Sequence, residues 1–355
     1  MLKIDPKFVI GLRKATDIKE VHFYLQKAIE LEHSTIPPYL TAMYSLIPGK
    51  NDEIAALIRS VVIEEMMHMT ISANILIATG GAPKINTAGF IPSYPGPLPM
   101  GIGDGLIVPI KAFSKELVKD VFMAIEEPEN PIPITRGLTA VEEEWHTIGQ
   151  FYKALQDKIE ELGDKIFTVG PEKQVLDWFA PDENIPIVSA ASAIKAIETI
   201  VEEGEGTSTS PFVPGESAGD EKAESPEVAH YYLFEEIYEG RKIEADGKGG
   251  YAFSGPKISF DKDGVYPMID NPSQADYDPD SEVSMLSNSF TYGYSSLLNA
   301  LHDSFNGNPN AMDTAIGLMY QLKLNAQKLM SMPVKPGSNK TAGPVFRYIA
   351  SNPSK

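Results

Sequence analysis

The chain has 355 residues, no cysteine, and 49 acidic against 30 basic side chains, for a formal charge of −19. Without cysteine there is no disulfide framework, thiolate zinc site, iron–sulfur cluster or cysteine nucleophile, so any metal must rest on histidines and carboxylates. The negative balance disfavours nucleic acid and anionic membranes as partners. No apolar run approaches the roughly 18 residues of a membrane span, and MLKIDPKFVIGLRKATDIKE carries no secretory leader pattern, so cytoplasmic residence is expected.

Residues 18–47 place Val21, Leu25, Ala28, Ile29, Ile36, Leu40 and Tyr44 at a helical period before Pro48-Gly49. Pro37-Pro38 inside that helix removes backbone donors and predicts a kink near Ser34. A second helix, capped by Asn51 or Asp52 and antiparallel to the first, carries Ile54, Leu57, Ile58, Val61, Ile71, Ile75 and Leu76 and stops at Gly80-Gly81. Residues 82–112 are rich in proline and glycine and read as an ordered loop with a short strand at 106–110. The glycines of GIGDG lead into that strand instead of opening a helix, which excludes a phosphate loop.

Ser114 caps a short helix to about residue 127, and a longer one covers 140–162. An amphipathic run at 189–203 ends in IVEEGEG, and 206–225 is the most linker-like stretch. Pro226 opens a helix, EVAHYYLFEEIYEGR. Residues 251–253 and 257–260 read as a small hairpin, and helices at 282–305 and 311–330 close the chain. The expected fold is mainly α: a four-helix bundle over 12–245, interrupted by insertions at 82–188 and 206–225. A small β segment and a C-terminal helical hairpin over 246–355 pack on it.

Glu65 and His68 form an i, i+3 pair on the apolar face of the second helix, where an unpaired charge costs several kcal/mol. Glu227 and His230 repeat the spacing, and Glu32 falls on the interior stripe of the first helix. Two Glu-x-x-His pairs plus one glutamate from each of two further helices make a di-iron or di-manganese carboxylate site. On the fourth helix Glu205 extends Ile194, Ile197 and Val201 and is preferred to Glu202 or the neutral Gln150. Glu143 and His146 share the spacing but lie off their stripe and read as solvated; His22 and His302 lack metal-like company. Met66, Met67 and Met69 are expected to pack, because hard ions prefer oxygen and imidazole.

The strings AIELEHSTIPPYLTAMYSL, VVIEEMMHMTISANILIATGG, HTIGQFYKAL, IVEEGEG and EVAHYYLFEEIYEGR resemble the ferritin-like family named for iminophenylpyruvate dimer synthase, which includes domains of bis-indole pigment biosynthesis enzymes. The likeness runs from about residue 12 to 332, with one departure at Glu203, where the family has glutamine. It implies a ferritin-like bundle and maps Glu32, Glu65, His68, Glu205, Glu227 and His230 onto metal positions. From such a site we expect two iron ions, with manganese as substitute, bridged by Glu65 and Glu227 as the catalytic carboxylates. Oxygen and a small organic substrate, aromatic if Tyr39, Tyr44, Tyr152, Tyr231 and Tyr232 line its pocket, are the expected partners. The alternative is a non-catalytic metal-binding scaffold, and a homo-oligomer is compatible with either.

Overall fold

The computed structural model describes residues 4–103, 105–128, 147–204 with the backbone of Glu205, 210–213 and 227–350. Asp5 and Asp17 cap the first two helices, α1 (Pro6–Lys14) and α2 (Ile18–Tyr44), by accepting from backbone amides in the first turn. Helix α3 (Asp52–Ala78) runs antiparallel to α2 and ends where Gly80 takes a left-handed φ of 82°. Next come α4 (Lys115–Leu117), a π turn at Val118–Phe122, and α5 (Met123–Ile125). Helices α6 (Ile148–Leu162), α7 (Ala190–Glu205) and α8 (His230–Glu239) precede a two-stranded antiparallel sheet, β1 (Glu244–Ala245) with β2 (Tyr251–Ala252). Helices α9 (Glu282–Ser304) and α10 (Met312–Met330) form the terminal hairpin.

The bundle is built from α2, α3, α7 and α8, with α6 laid against α1, α2 and α7, and α10 against α2. Among the described residues α3 is the one helix long and apolar enough to cross a membrane, and it is largely buried within this bundle.

Helix α2 continues unbroken through Pro37 and Pro38. Pro38 has no N–H for the Ser34 carbonyl, and the Tyr94 hydroxyl donates to that oxygen instead, at 2.6 Å. Tyr94→Phe should therefore cost roughly 1 kcal/mol in urea unfolding, by leaving a carbonyl short of its partner. An unchanged midpoint would mean that water replaces the hydroxyl without loss.

Four expectations change. Asn51 precedes α3 but does not cap it: its side chain reaches across to the backbone of Asp261 and Gly264. The strand expected at 106–110 reduces to a single bridge between Gly96 and Val108. The hairpin pairs 244–245 with 251–252, because Asp246 accepts from the amides of Lys248 and Gly250 and closes the turn there; Lys257 bridges Arg241 instead. Finally, α8 starts at His230, not Pro226. The Glu227 carbonyl and the Ala229 amide that would join the earlier turn are used in an antiparallel bridge, with Val213 N donating to Glu227 O and Ala229 N to Pro211 O, both at 3.0 Å.

Candidate metal centre

On α2 the buried stripe Leu25, Ala28, Ile29, Glu32, Ile36 and Tyr39 carries one carboxylate inward. On α3 the stripe Val61, Glu65, His68, Ser72 does the same for a carboxylate and an imidazole. Glu126 follows α5 directly, one α-turn beyond buried Phe122, and His230 is the first residue of α8. Their side chains meet. Ligating atoms of Glu32, Glu65 and His68 lie within 4.8 Å of one another, as do those of Glu65, Glu126 and His230, so Glu65 belongs to both groups.

Both imidazoles present Nδ1 to the carboxylates and anchor Nε2 behind. His68 Nε2 is 2.8 Å from Glu203 and His230 Nε2 is 2.8 Å from Glu64. A carboxylate only accepts, so each Nε2 carries a proton and each Nδ1 is left to face the cluster. His230 Nδ1 makes no hydrogen bond, although Glu65 Oε1 is 3.1 Å and Glu126 Oε2 3.5 Å away. A buried nitrogen without a hydrogen bond, facing two carboxylates, fits a cation-binding position. His68 Nδ1 is 3.8 Å from Glu32 Oε2, and the two rings stack at 5.5 Å.

Hydroxyls hold the outer carboxylate oxygens: Thr35 donates to Glu65 at 2.6 Å, Tyr152 to Glu32, and Tyr39 to Glu126. Burial, followed by the neighbouring carboxylates, raises both tyrosine pKa values, so these tyrosines remain donors. Burial and then the charge of Glu65 push Glu32 up to about 8. Burial also raises Glu126, again with Glu65 adding to it. For Glu65 burial works upward, but the close approach and charge of His230, followed by the charge of His68, prevail and its pKa is lowered. A cavity of about 50 Å³ opens on the cluster between Leu31, Ile125, Ile148, Ile200 and Val201, room for a few water molecules or a diatomic gas.

Of the residues singled out from sequence, Glu32, Glu65, His68 and His230 come together. Glu227 does not join either group; it sits half-buried in the bridged segment before α8, and the carboxylates grouped with His230 are Glu65 and Glu126. Residues 129–146, including Glu143 and His146, and the Glu205 side chain lie outside the described residues. The buried stripe of α7 is Ala193, Ala196, Ile197, Ile200 and Glu203, rotated from the one through Ile194 and Val201, because the alanines permit close approach to the neighbouring helices. That rotation delivers Glu203 to His68. Sequence reasoning misses Glu126, although Val118, Phe122 and Glu126 at i, i+4, i+8 place it inward.

A family model described as Ferritin-like matches residues 25–239. The crystal structure of a ferritin like protein from Caulobacter vibrioides superposes with a TM-score of 0.61 at 20% identity, covering 94% of this chain and 99% of that one. No curated protein matches the chain.

Proposed function

Because the chain belongs to the ferritin-like family, we propose that it holds two transition-metal ions side by side: one on Glu32, Glu65 and His68, the other on Glu65, Glu126 and His230. The observation that carries this is the pair of anchored imidazoles, each offering Nδ1 to a carboxylate group that shares Glu65. An oxygen- and nitrogen-only donor set suits iron or manganese, and iron is our choice. Such a pair supplies electrons to dioxygen, and we assign the chain as an oxidoreductase that couples this to oxidation of a small organic molecule. The strings from AIELEHSTIPPYLTAMYSL to EVAHYYLFEEIYEGR support the iminophenylpyruvate dimer synthase type, hence an amino-acid-derived substrate.

The chain's own residues perform the remaining tasks. Leu31, Ile125, Ile200 and Val201 give the cavity the apolar wall that an apolar gas prefers. Tyr152 and Tyr39 hold the terminal carboxylates in place through their hydroxyls, and Thr35 holds Glu65. Glu203 and Glu64 fix the imidazole orientations. Glu203→Gln should weaken the His68 position by about 10–100-fold, read as metal affinity by calorimetry, while the other position holds. Equal weakening at both positions would show that Glu203 does not act through His68.

The test of function is oxygen uptake by anaerobically iron-loaded protein, with and without aromatic amino acids and their keto acids, together with product analysis. Uptake coupled to a substrate supports the oxidoreductase. Metal binding without substrate-coupled uptake would leave a metal-binding scaffold, the reading that the buried cluster also permits.

A further inference from the structure

The C-terminal hairpin has an inner face and an outer one. Phe290, Tyr294, Leu298 and Leu329 are buried, and α10 lies against α2. The outer face carries the four most exposed large apolar side chains among the described residues: Met285 at 61%, Tyr292 at 58%, Tyr320 at 65% and Leu324 at 66%. The exposed ion pair between Glu282 and Lys328, one turn from Met285 and Leu324 respectively, puts the two stripes side by side. In a chain of charge −19, residues 283–301 contain no Asp, Glu, Lys or Arg, and neither do 314–322. An exposed face this rich in large apolar side chains, with charge only at Glu282, Asp313, Lys323 and Lys328, marks a protein contact.

We propose that this face binds a second copy of the chain about a twofold axis, α10 against α10 and antiparallel. The exposed stripe of α10 reads Asp313, Gly317, Tyr320, Leu324, Lys328, and it is complementary to its own reverse. Turned end to end about the point between Tyr320 and Gln321, it sets Asp313 opposite Lys328 of the second copy, and Lys328 opposite Asp313. The same register sets Gly317 opposite Leu324. A side chain at Gly317 would meet nothing within 4 Å, so the glycine is an open notch for a leucine from outside. Elsewhere, two surfaces of like charge repel. This stripe is where two copies can approach. A basic partner protein would be drawn to the acidic surface, not to the neutral one. Helix α10 is about 28 Å long, and α9 beside it widens the face toward the roughly 800 Å² per copy that a stable dimer buries.

The test is the mass of the full-length protein by light scattering and sedimentation over a concentration series. Twice the 38.8 kDa chain mass is expected. Leu324→Glu puts a carboxylate at an exposed position, and should yield a folded monomer, checked by circular dichroism. Asp313→Lys sets lysine against lysine and should weaken the dimer about tenfold, and adding Lys328→Asp together with Glu282→Gln, which spares the new carboxylate an in-chain like charge, should restore it. With no native cysteine, Tyr320→Cys near the axis should give a disulfide-linked dimer under mild oxidation, and Lys165→Cys should not. A wild-type monomer at every concentration would overturn the proposal, as would a dimer unaffected by Leu324→Glu, or charge reversal without rescue.

Discussion

Glu65→Ala is expected to abolish metal binding at both positions, whereas His68→Ala and Glu126→Ala should each empty one. Glu65 is the one residue common to the two groups, and no other carboxylate among the described residues is placed to reach both imidazoles' inner nitrogens: it is 3.1 Å from His230 and shares a group with His68. Removing it also leaves the Thr35 hydroxyl, which donates to Glu65 at 2.6 Å, without that partner. Elemental analysis of anaerobically loaded variants gives the result directly, as metal per chain. If Glu65→Ala retained one full equivalent, the groups would be independent sites and the shared-carboxylate reading would fail. Glu65→Gln keeps the volume and checks that any loss is chemical, not a collapse of the bundle.

The second large effect is expected on removing metal, and it should grow with pH. Without an ion, Glu32 is pushed up to about 8, first by burial and then by Glu65. Burial pulls His68 down, but the hydrogen bond and charge of Glu203 outweigh it and hold it at about 9. Protons therefore occupy the cluster near neutral pH. The raised histidine contributes stability fully below its ordinary 6.5, and loses it as pH climbs through about 9. The raised carboxyl disfavours its charged form, so its effect also turns destabilising as pH climbs from 4.5 toward 8. Both signs agree: between about pH 6.5 and 9 the metal-free protein weakens as pH rises. A metal ion displaces those protons, so its affinity rises over the same interval. At a thousand-fold excess over Kd, binding adds about 4 kcal/mol, enough to lift Tm by several degrees. Calorimetric melts with metal or with chelator at pH 6.5, 8 and 9 should show a widening gap. A gap that stays constant would mean that these protons are not in competition with metal. Calorimetry in buffers of different ionisation heat should register proton release in parallel.

What the amino-acid sequence discloses of this centre follows from where each ligand sits in its own element. Glu32, Glu65 and His68 lie inside helices of 27 residues each, where an apolar stripe fixes the inward direction and local spacing suffices. His230 is reached through a helical spacing that the backbone does not adopt, since Glu227 lies in a bridged strand-like segment before α8. Its actual companion, Glu126, is distant in sequence and ends a short helix containing a π turn, so no local motif joins the two. The rotation of α7 is equally hidden: a count of bulky residues favours Ile194 and Val201, whereas small alanines mark the side that packs tightest. The terminal hairpin is legible because turn and period coincide at Asn306–Pro309.

The order of the ligands along the chain has a bearing on how the protein is made. Glu32, Glu65 and His68 come early, Glu126 later and His230 last. At 5–20 residues per second of synthesis, roughly 10–40 s separate the appearance of Glu32 from that of His230. Once His68 has been made the nascent chain carries every member of the first group, though not the Glu203 that orients its imidazole, while the second still lacks His230. An ion arriving on the ribosome would thus find half a centre, and the full pair can be charged only once translation has passed α8.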